Sequence, residues 1–376
     1  MNVRAPFFLI MLVAFAHFGW ADDRYVGLDT LDAVAPQTEK ACRTNVVISP
    51  FAIRTDEQVF ALAASTNVLA ERISGTYRSV CREYAAAADA GRFRFLHARA
   101  FCVGDPETVS TGFRARLLSE LGTAICRLAP SAGAESWLKT MMDGDMEDFS
   151  LTGGGDAAQF VELVSVEGLW LPSAQQRGCV SRTFRCADGR ARKMRFRTVS
   201  VSAEILDGDR WAIAVVSLDG GQELVLVRPC KGATLTDVRK ALPWSLLFDK
   251  IVTLKSRVAV GSWQGTADLS LPDMDMRTET RLGDVLRKRG TPLCAPAGMT
   301  LAAARQVVRF RLQGRQGVGR DRVADDEEAL DGEREGQVSP VRQFVADVPF
   351  LFLIRHEATQ SVPVVGLFTG VEGKAG

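Results

Sequence analysis

A charged segment near the carboxyl end constrains this chain more than any other feature of its sequence. Residues 313–343 are mostly Gly, Arg, Asp and Glu, and the intensely apolar run 344–354 follows directly. The preceding run, 305–312, alternates apolar residues with arginines, as a half-buried strand does. A loop of this length inside a compact domain is either functional or disordered. The sequence therefore predicts an exposed polar segment tethered between a strand and a buried C-terminal pair of strands.

Composition excludes several classes of protein. The chain has 376 residues, of which 47% are hydrophobic, so it is neither disordered nor fibrous. Its 46 basic and 45 acidic side chains give no net charge that would demand a nucleic acid partner. Only three histidines occur, and the sequence lacks a G-x-S-x-G motif, a P-loop and a dinucleotide fingerprint. We therefore expect neither an enzyme nor a bound cofactor or metal.

The first 21 residues have the pattern of a secretory signal peptide. Arg4 supplies a positive charge, residues 7–16 are apolar, and Gly19 to Ala21 offer small residues for cleavage before Asp22. The alternative is a membrane anchor, but the apolar run is well short of the ~20 residues that span a bilayer. No later window is long and apolar enough for a span. The sequence predicts a secreted protein with one domain over 22–376.

The eight cysteines all follow the predicted signal peptide. Their even number permits disulfide bonds in a secreted protein, and Cys179 with Cys186 is the most favourable local pair. Wide spacing and the absence of a C-x-x-C pair argue against a zinc cluster or a redox motif. The alternative for the other cysteines is buried free thiols.

Helical and strand-like patterns are mixed along the chain without a βαβ rhythm. Apolar residues at helical spacing, with capping residues such as Ser49 and Pro50, predict helices over 51–64, 109–121, 132–146, 234–242 and 281–289. Alternating or wholly apolar runs predict strands over 94–103, 160–171, 212–218, 223–227 and 305–312. The run 160–171 is too apolar for a solvent-facing strand, so we place it centrally in a sheet. The fold class is α+β with several sheets.

Five short motifs in the same order resemble those of the serpin family: Asn45-Val-Val-Ile-Ser-Pro50, Gly168-Leu-Trp170, Leu282-Gly-Asp-Val-Leu286, Val348-Pro-Phe-Leu-Phe-Leu-Ile-Arg355 and Val364-Val-Gly366. They span almost the whole chain after the signal peptide. The run 346–356 is particularly similar to serpins encoded by poxviruses. Two departures from the family pattern stand out, since Glu162 occupies a position that is usually Asn and no Arg follows Gly366.

The resemblance implies a monomeric protein with three β-sheets, eight to nine helices and an exposed reactive-centre loop at about 314–343. In inhibitory members of the family this loop is bait for a serine protease, and after cleavage it inserts into the central sheet. Insertion requires small uncharged residues at alternate positions near the start of the loop.

Two alignments of this hinge remain open. In the first, Gly317, Gly319 and Asp321 lie on the buried side after insertion, and Arg320 and Arg322 face solvent. In the second, Arg320 and Arg322 are buried, which would cost several kcal/mol each and prevent full insertion. The first alignment continues the apolar alternation of the preceding strand.

The scissile bond has three candidates, which follow Leu330, Asp331 and Arg334. Cleavage after Asp331 would suit an acid-directed protease, and cleavage after Arg334 would suit a trypsin-like extracellular protease. The alternative function is a non-inhibitory serpin-fold binding protein, such as a viral immunomodulator that captures a host ligand.

Basic residues crowd one stretch opposed by Asp188 alone: Arg182, Arg185, Arg190, Arg192, Lys193, Arg195 and Arg197. The last five form a candidate patch for sulfated glycosaminoglycan. The alternative is the ordinary solvent face of two strands.

Overall fold

The computed structural model describes residues 44–64, 78–79, 81–87, 90, 92–128, 133–151, 157–230, 232–255, 261–313, 341–359 and 361–371. The predicted signal peptide, residues 1–21, lies outside these ranges, as does Cys42. Within the described ranges, no helix is long and apolar enough to cross a membrane.

Helices and strands alternate irregularly along the described chain. The strands are β1 (Val46–Ile48), β2 (Arg94–Val103), β3 (Thr123–Arg127), β4 (Ala158–Leu169), β5 (Gln175–Arg185), β6 (Ala191–Asp207), β7 (Trp211–Ser217), β8 (Gln222–Pro229), β9 (Ser262–Pro272), β10 (Asp275–Thr280), β11 (Leu301–Gln313), β12 (Arg342–Val345), β13 (Phe350–His356) and β14 (Val364–Phe368). The helices are α1 (Pro50–Ala63), α2 (81–87), α3 (Thr111–Leu121), α4 (Ala134–Met141), α5 (Leu235–Ala241), α6 (Trp244–Lys255) and α7 (Leu282–Lys288). The α+β fold class is confirmed.

Hydrogen bonds join the strands into two networks. One sheet has five strands in the order β10-β11-β4-β2-β3. The other has nine, in the order β1-β14-β13-β8-β7-β6-β9-β12, with β5 also paired to β6. The 17-residue strand β6 pairs with β5 along its first half and with β7 along its second half. This long strand joins two sets of strands that the predicted three-sheet arrangement would count as separate sheets.

The two sheets pack face to face through a common apolar core. Phe310 of β11 stacks on Phe352 of β13 with ring centroids 4.9 Å apart, and Val164 of β4 belongs to the same cluster. Helices α5 and α6 cover the outer face of the nine-stranded sheet. Helix α4 packs on the outer face of the five-stranded sheet, against residues such as Leu163 and Val307. The centre of each sheet is therefore buried on both faces.

Local sequence signals account for most element boundaries. The Ser49 hydroxyl accepts a hydrogen bond from Ala52 N at the start of α1, where Pro50 occupies the first turn. Strand β2 has the predicted bounds, and β4 is the middle strand of its sheet, as its apolar sequence predicts. The hairpin predicted around Asp219 is also confirmed, since β7 and β8 pair antiparallel.

Two predicted elements differ from the structure. The helix predicted over 132–146 ends at Met141, because Asp143 and Gly144 adopt positive φ angles of 48° and 79° and turn the chain out of the helix. The apolar run 344–354 is divided between β12 and β13, which lie in different parts of the nine-stranded sheet. Pro349 separates them and has no N–H to donate to a ladder.

The predicted disulfide between Cys179 and Cys186 is wrong, since both are free thiols. Cys179 lies within the extended strand β5 and Cys186 follows its end. Seven residues of extended chain span roughly 23 Å, whereas bridged cysteines have Cα atoms about 4.4–6.8 Å apart. Among the other described cysteines, Cys102 and Cys126 are also free thiols, on neighbouring strands.

Candidate functional site

The centre of the five-stranded sheet is a parallel pair of strands, β4 and β11. They are paired from Leu301 beside Ala158 to Gln313 beside Leu169, with one irregularity near Leu301. We call this boundary the seam. Both flanking pairs, β10 with β11 and β2 with β4, are antiparallel. The seam is closed along the full described length of both strands.

The predicted tether of the charged segment is confirmed at its first end, whereas its second end leads into the edge strand β12 and not directly into the buried C-terminal pair β13–β14. Strand β11 ends at Gln313 beside the end of β4, and β12 begins at Arg342 in the other sheet, parallel to β9. A chain that turned back after Gln313 would run antiparallel to both β11 and β4. Such a strand could pair with both of them if the seam opened, because antiparallel ladders form without a long crossover.

A buried polar cluster holds the middle of the seam. Gln306 Nε2 on β11 donates to Glu162 Oε2 on β4 at 2.6 Å, and Gln306 Oε1 accepts from Ser49 N at 3.3 Å. Glu162 Oε1 lies 2.7 Å from His97 Nε2 on β2. Glu162 and Gln306 are 0% exposed, so separating the strands would leave a buried carboxylate without one of its donors.

Arg99 connects the polar cluster to helices α1 and α3. Its side chain is 1% exposed and donates to Thr55 Oγ1 at 2.7 Å, to Asp56 Oδ1 at 3.4 Å and to the carbonyl of Leu121. Strand β2 is thereby connected to α1 and to the end of α3. These bonds satisfy most of the N–H donors of the guanidinium, as a buried cation requires.

The charges in this cluster follow from burial and from one another. Burial, and then the negative charge of Glu162, raise the pKa of Asp56 well above its usual range. Burial also raises the pKa of Glu162, but the hydrogen bond from His97 and the charges of His97 and Arg99 outweigh it and lower that pKa. Burial, and then the charge of Arg99, lower the pKa of His97. The ionised form of Glu162 is thus favoured at the seam, and His97 Nε2 lies within hydrogen-bond distance of its carboxylate.

On the face of the seam opposite the polar cluster, ion pairs join β11 to β4 near the end of β11. Arg311 of β11 lies 2.5 Å from Asp145 Oδ1 and 3.3 Å from Glu167 Oε2 of β4. Arg94 of β2 lies 3.6 Å from Asp145 and 3.9 Å from Glu167. Asp145 belongs to the turn after α4 and also accepts from Ser165 Oγ at 2.7 Å. This turn lies across the seam, so opening the sheet would break the Arg311–Glu167 pair.

The faces of β11 agree with the alternation in its sequence. Val308 and Phe310 are buried in the core between the sheets, and Leu312 packs against that core. The hinge residues Gly317, Gly319 and Asp321, with Arg320 and Arg322, lie outside the described residues. The scissile-bond candidates Leu330, Asp331 and Arg334 lie outside them as well, so both sets of assignments stay predictions.

The basic patch is divided between two faces of the β5–β6 pair. Lys193, Arg195 and Arg197 alternate along β6 and share a face with Arg185 of β5. Arg192 lies opposite Phe184 and shares the other face with Arg182, while Arg190 is in the turn. The five residues of the candidate patch therefore do not share one face, because successive strand residues point to opposite sides, and glycosaminoglycan binding by them stays a prediction.

Asp273 is a counter-charge that the sequence pattern did not reveal. Its carboxylate lies 3.6 Å from Arg195 Nε and 3.5 Å from Arg197 Nε. Asp188 lies 3.6 Å from Arg192 and 4.0 Å from Arg190. Lys193 and Arg185 have no ion pair within the described residues, so they carry most of the unopposed charge on their face.

Sequence reasoning also missed the polar cluster at the seam. Glu162 in an otherwise apolar run was the available signal, because a charged residue is rarely buried without a partner. Its partners His97 and Gln306 come from distant parts of the chain. Only the pairing of β2, β4 and β11 brings them together.

Comparisons with known proteins were made with the sequence and with the structure. No family model matches the sequence, and no curated protein matches it. The crystal structure of native protease nexin-1 with heparin matches with a TM-score of 0.66 and 15% identity, covering 92% of this chain and 96% of that one. Manduca sexta serpin-12 matches with a TM-score of 0.67 and 14% identity, covering 88% of this chain and 94% of that one. The resemblance to serpins inferred from the motifs is confirmed at the level of the fold.

Proposed function

We propose that this chain, which has the serpin fold, is a secreted inhibitor of an extracellular serine protease. One observation carries the proposal: the parallel β4–β11 seam is closed, and the charged segment leaves from the end of β11. In this proposal residues 314–343 are the bait. After cleavage, the part that follows Gln313 enters the seam as a strand antiparallel to both neighbours and carries the bound protease with it.

The hinge would enter the seam first. In our preferred alignment Gly317, Gly319 and Asp321 take the inward positions, and Arg320 and Arg322 take the outward ones. Two glycines offer no steric barrier but also weaken a strand. Asp321 is the costly residue, because a buried carboxylate needs a partner. Arg311 and Glu167 lie on the opposite face of the seam, so they cannot supply that partner.

Leu330, Asp331 and Arg334 remain the candidates for the residue before the cleaved bond. Secretion is supported by the pattern of residues 1–21, and an extracellular location favours a trypsin-like enzyme acting after Arg334. Asp331 instead favours an acid-directed serine protease. The Arg334 and Asp331 assignments are exclusive and can be separated by substitution.

The test incubates the full chain with trypsin and, separately, with a serine protease that cleaves after Asp. We expect one of them to form a complex that survives denaturing electrophoresis at the sum of the two masses. Arg334→Ala should abolish the complex with trypsin and Asp331→Ala should not, or the reverse for the acid-directed enzyme. Complete cleavage of the loop by both enzymes without any complex would contradict inhibition.

A second candidate function is polyanion binding with or without inhibition. Arg185, Lys193 and Arg195 share the outward face of the β5–β6 pair, and an array of cations on one face suits sulfated glycosaminoglycan. Heparin is present in the structure of protease nexin-1, which has the same fold. A binding protein without inhibitory activity, including a viral immunomodulator, is the corresponding alternative.

A heparin column tests this candidate with a matched control. Lys193→Ala combined with Arg195→Ala should elute at lower salt than the wild type, because fewer counterions are released on binding. Arg182→Ala combined with Arg192→Ala removes the same charge from the opposite face and should elute close to the wild type. Equal shifts for the two variants would show that net charge, and not this face, determines retention.

A further inference from the structure

A cavity of about 610 Å³ lies away from the seam, at the junction of three segments. Its walls are the turn that joins β5 to β6, the end of β8 with the start of α5, and the segment that joins β12 to β13. Pockets that bind small molecules usually measure about 300–1,000 Å³. The cavity is therefore large enough for a small organic ligand.

Two arginines give the cavity an excess of positive charge. Arg185 and Arg228 line different walls, and among the described lining residues Asp347 alone is acidic. The Arg228 guanidinium lies over the Phe344 ring, 5.1 Å from its centroid. Its Nε is buried and has no hydrogen-bond acceptor within the described residues. A buried guanidinium nitrogen without an acceptor favours an anion as the missing partner.

The remaining walls are largely apolar. Leu235 is 8% exposed and lines the cavity together with Val348 and Pro349. A ligand with an anionic end and an apolar body could therefore contact the arginines and the carbon atoms of these walls. This combination of one charged end and an apolar body is typical of pockets that orient a ligand with few polar contacts.

We propose that this cavity binds a small amphipathic anion, a carboxylate or sulfonate with an aromatic or aliphatic body. Arg228 and Arg185 hold the anionic group, and the body lies against Leu235, Val348 and Pro349. The proposal does not depend on protease inhibition, since none of these residues belongs to the seam or to the charged segment.

The cysteines supply a reporter for occupancy. Cys186 and Cys230 line the cavity, whereas Cys179 lies on β5 outside it. Burial raises the pKa of the Cys186 thiol, which slows its reaction with alkylating reagents. A ligand in the cavity should shield Cys230 from iodoacetamide and leave Cys179 unaffected.

The experiment titrates the purified chain with anilinonaphthalene sulfonate, an aromatic sulfonate whose fluorescence rises in apolar surroundings. We expect one saturable site per chain. Arg185→Gln with Arg228→Gln should weaken binding at least ten-fold, whereas Arg182→Gln, which removes a similar exposed charge from β5 outside the cavity, should leave it unchanged. The dye should also slow alkylation of Cys230 relative to Cys179, as mapped by mass spectrometry.

Several results would overturn the proposal. These are binding of many dye molecules without saturation, equal affinity in the double variant, or equal shielding of both cysteines. The uncharged analogue phenylnaphthylamine must lose little affinity in the double variant, because it makes no ion pair; an equal loss would point to a collapsed cavity and contradict the assigned roles. If Arg228→Gln fails to fold, Arg185→Gln alone, at an exposed position, should still weaken dye binding several-fold.

Discussion

The two sheets of the molecule bury different chemistry at their centres. In the nine-stranded sheet, every residue of β13 and β14 is buried, and most are apolar or aromatic. Phe350 stacks on Phe368 with centroids 5.3 Å apart, and Phe352 stacks on Phe310. At the centre of the five-stranded sheet, Glu162, Gln306 and Arg99 are buried instead.

This difference indicates which sheet can change its pairing. Apolar contacts in the nine-stranded sheet can only be lost when strands separate, because water offers apolar groups no replacement. Polar contacts at the seam can be exchanged for contacts with an inserted strand. In the proposed insertion the nine-stranded sheet keeps its pairing, and the seam of the five-stranded sheet opens.

The largest expected effect is in the nine-stranded sheet. Phe352→Ala removes a fully buried ring that packs over Gly366, where an added Cβ would lie 2.3 Å from the ring. The space left by the ring is enclosed by other buried side chains, so we expect a loss of about 3–5 kcal/mol. Denaturant unfolding should show the same loss in the intact and the loop-cleaved protein. A loss in only one form would contradict the unchanged pairing of this sheet.

Replacing a buried glutamine by leucine should change stability less, and by different amounts in the two sheets. Gln306→Leu leaves Glu162 Oε2 and Ser49 N without these partners, at a cost of about 1–3 kcal/mol. Gln222 of β8 is also buried, but neither its Oε1 nor its Nε2 has a hydrogen-bond partner within the described residues. Gln222→Leu should therefore be neutral or stabilising in urea unfolding. Equal losses for both variants would remove the contrast between the sheets.

The ion pair across the seam should stabilise the intact protein more than the loop-cleaved protein. Arg311→Gln removes the contacts with Asp145 and Glu167 and should cost about 1 kcal/mol in the intact protein. In the loop-cleaved protein an inserted strand would already separate Arg311 from Glu167, so its melting temperature should change less. Calorimetry of both forms measures the difference. An equal decrease in both would show that cleavage leaves the seam closed.

Mild acid should slightly lower the free energy of unfolding through one histidine in each sheet. Burial lowers the pKa of His97 in one sheet and of His356 in the other below the usual 6.5. Below pH 6.5 the unfolded chain takes up protons that these folded-state histidines do not, so the stability present above pH 6.5 is lost as the pH falls. Each histidine contributes up to about 0.7 kcal/mol of loss between pH 7 and pH 6.

Urea unfolding of the wild type, His97→Gln and His356→Gln at pH 7 and pH 6 measures these contributions. Each variant should lose less stability than the wild type over this interval. The same loss in all three proteins would mean that neither histidine titrates below its usual range.

Much of the fold could be predicted from the sequence, because many boundaries depend on local chemistry. Ser49 caps α1, and Thr234 forms a capping box with Asp237 at the start of α5. The largely apolar sequence of β4 indicated its central place. The end of α4 was missed because the positive φ of Asp143 is uncommon for a residue other than glycine.

The candidate site was only partly predictable. The strands on either side of the charged segment were predictable from the alternation in β11 and from the apolar run that follows the segment. The polar cluster of Glu162, His97 and Gln306 depends on pairing between strands far apart in sequence, and no local pattern specifies that pairing. The division of the basic residues between two faces was missed for a related reason, since counting arginines ignores the alternation of faces along β6.

The most direct test of the account is a melting curve of the protein before and after a single cut in the charged segment, with the cut located by mass spectrometry. We expect a large rise in melting temperature after cleavage, because the released strand would enter the seam and complete an antiparallel ladder. An unchanged or lower melting temperature, with the cut mapped within residues 314–343, would contradict insertion and with it the proposed inhibition.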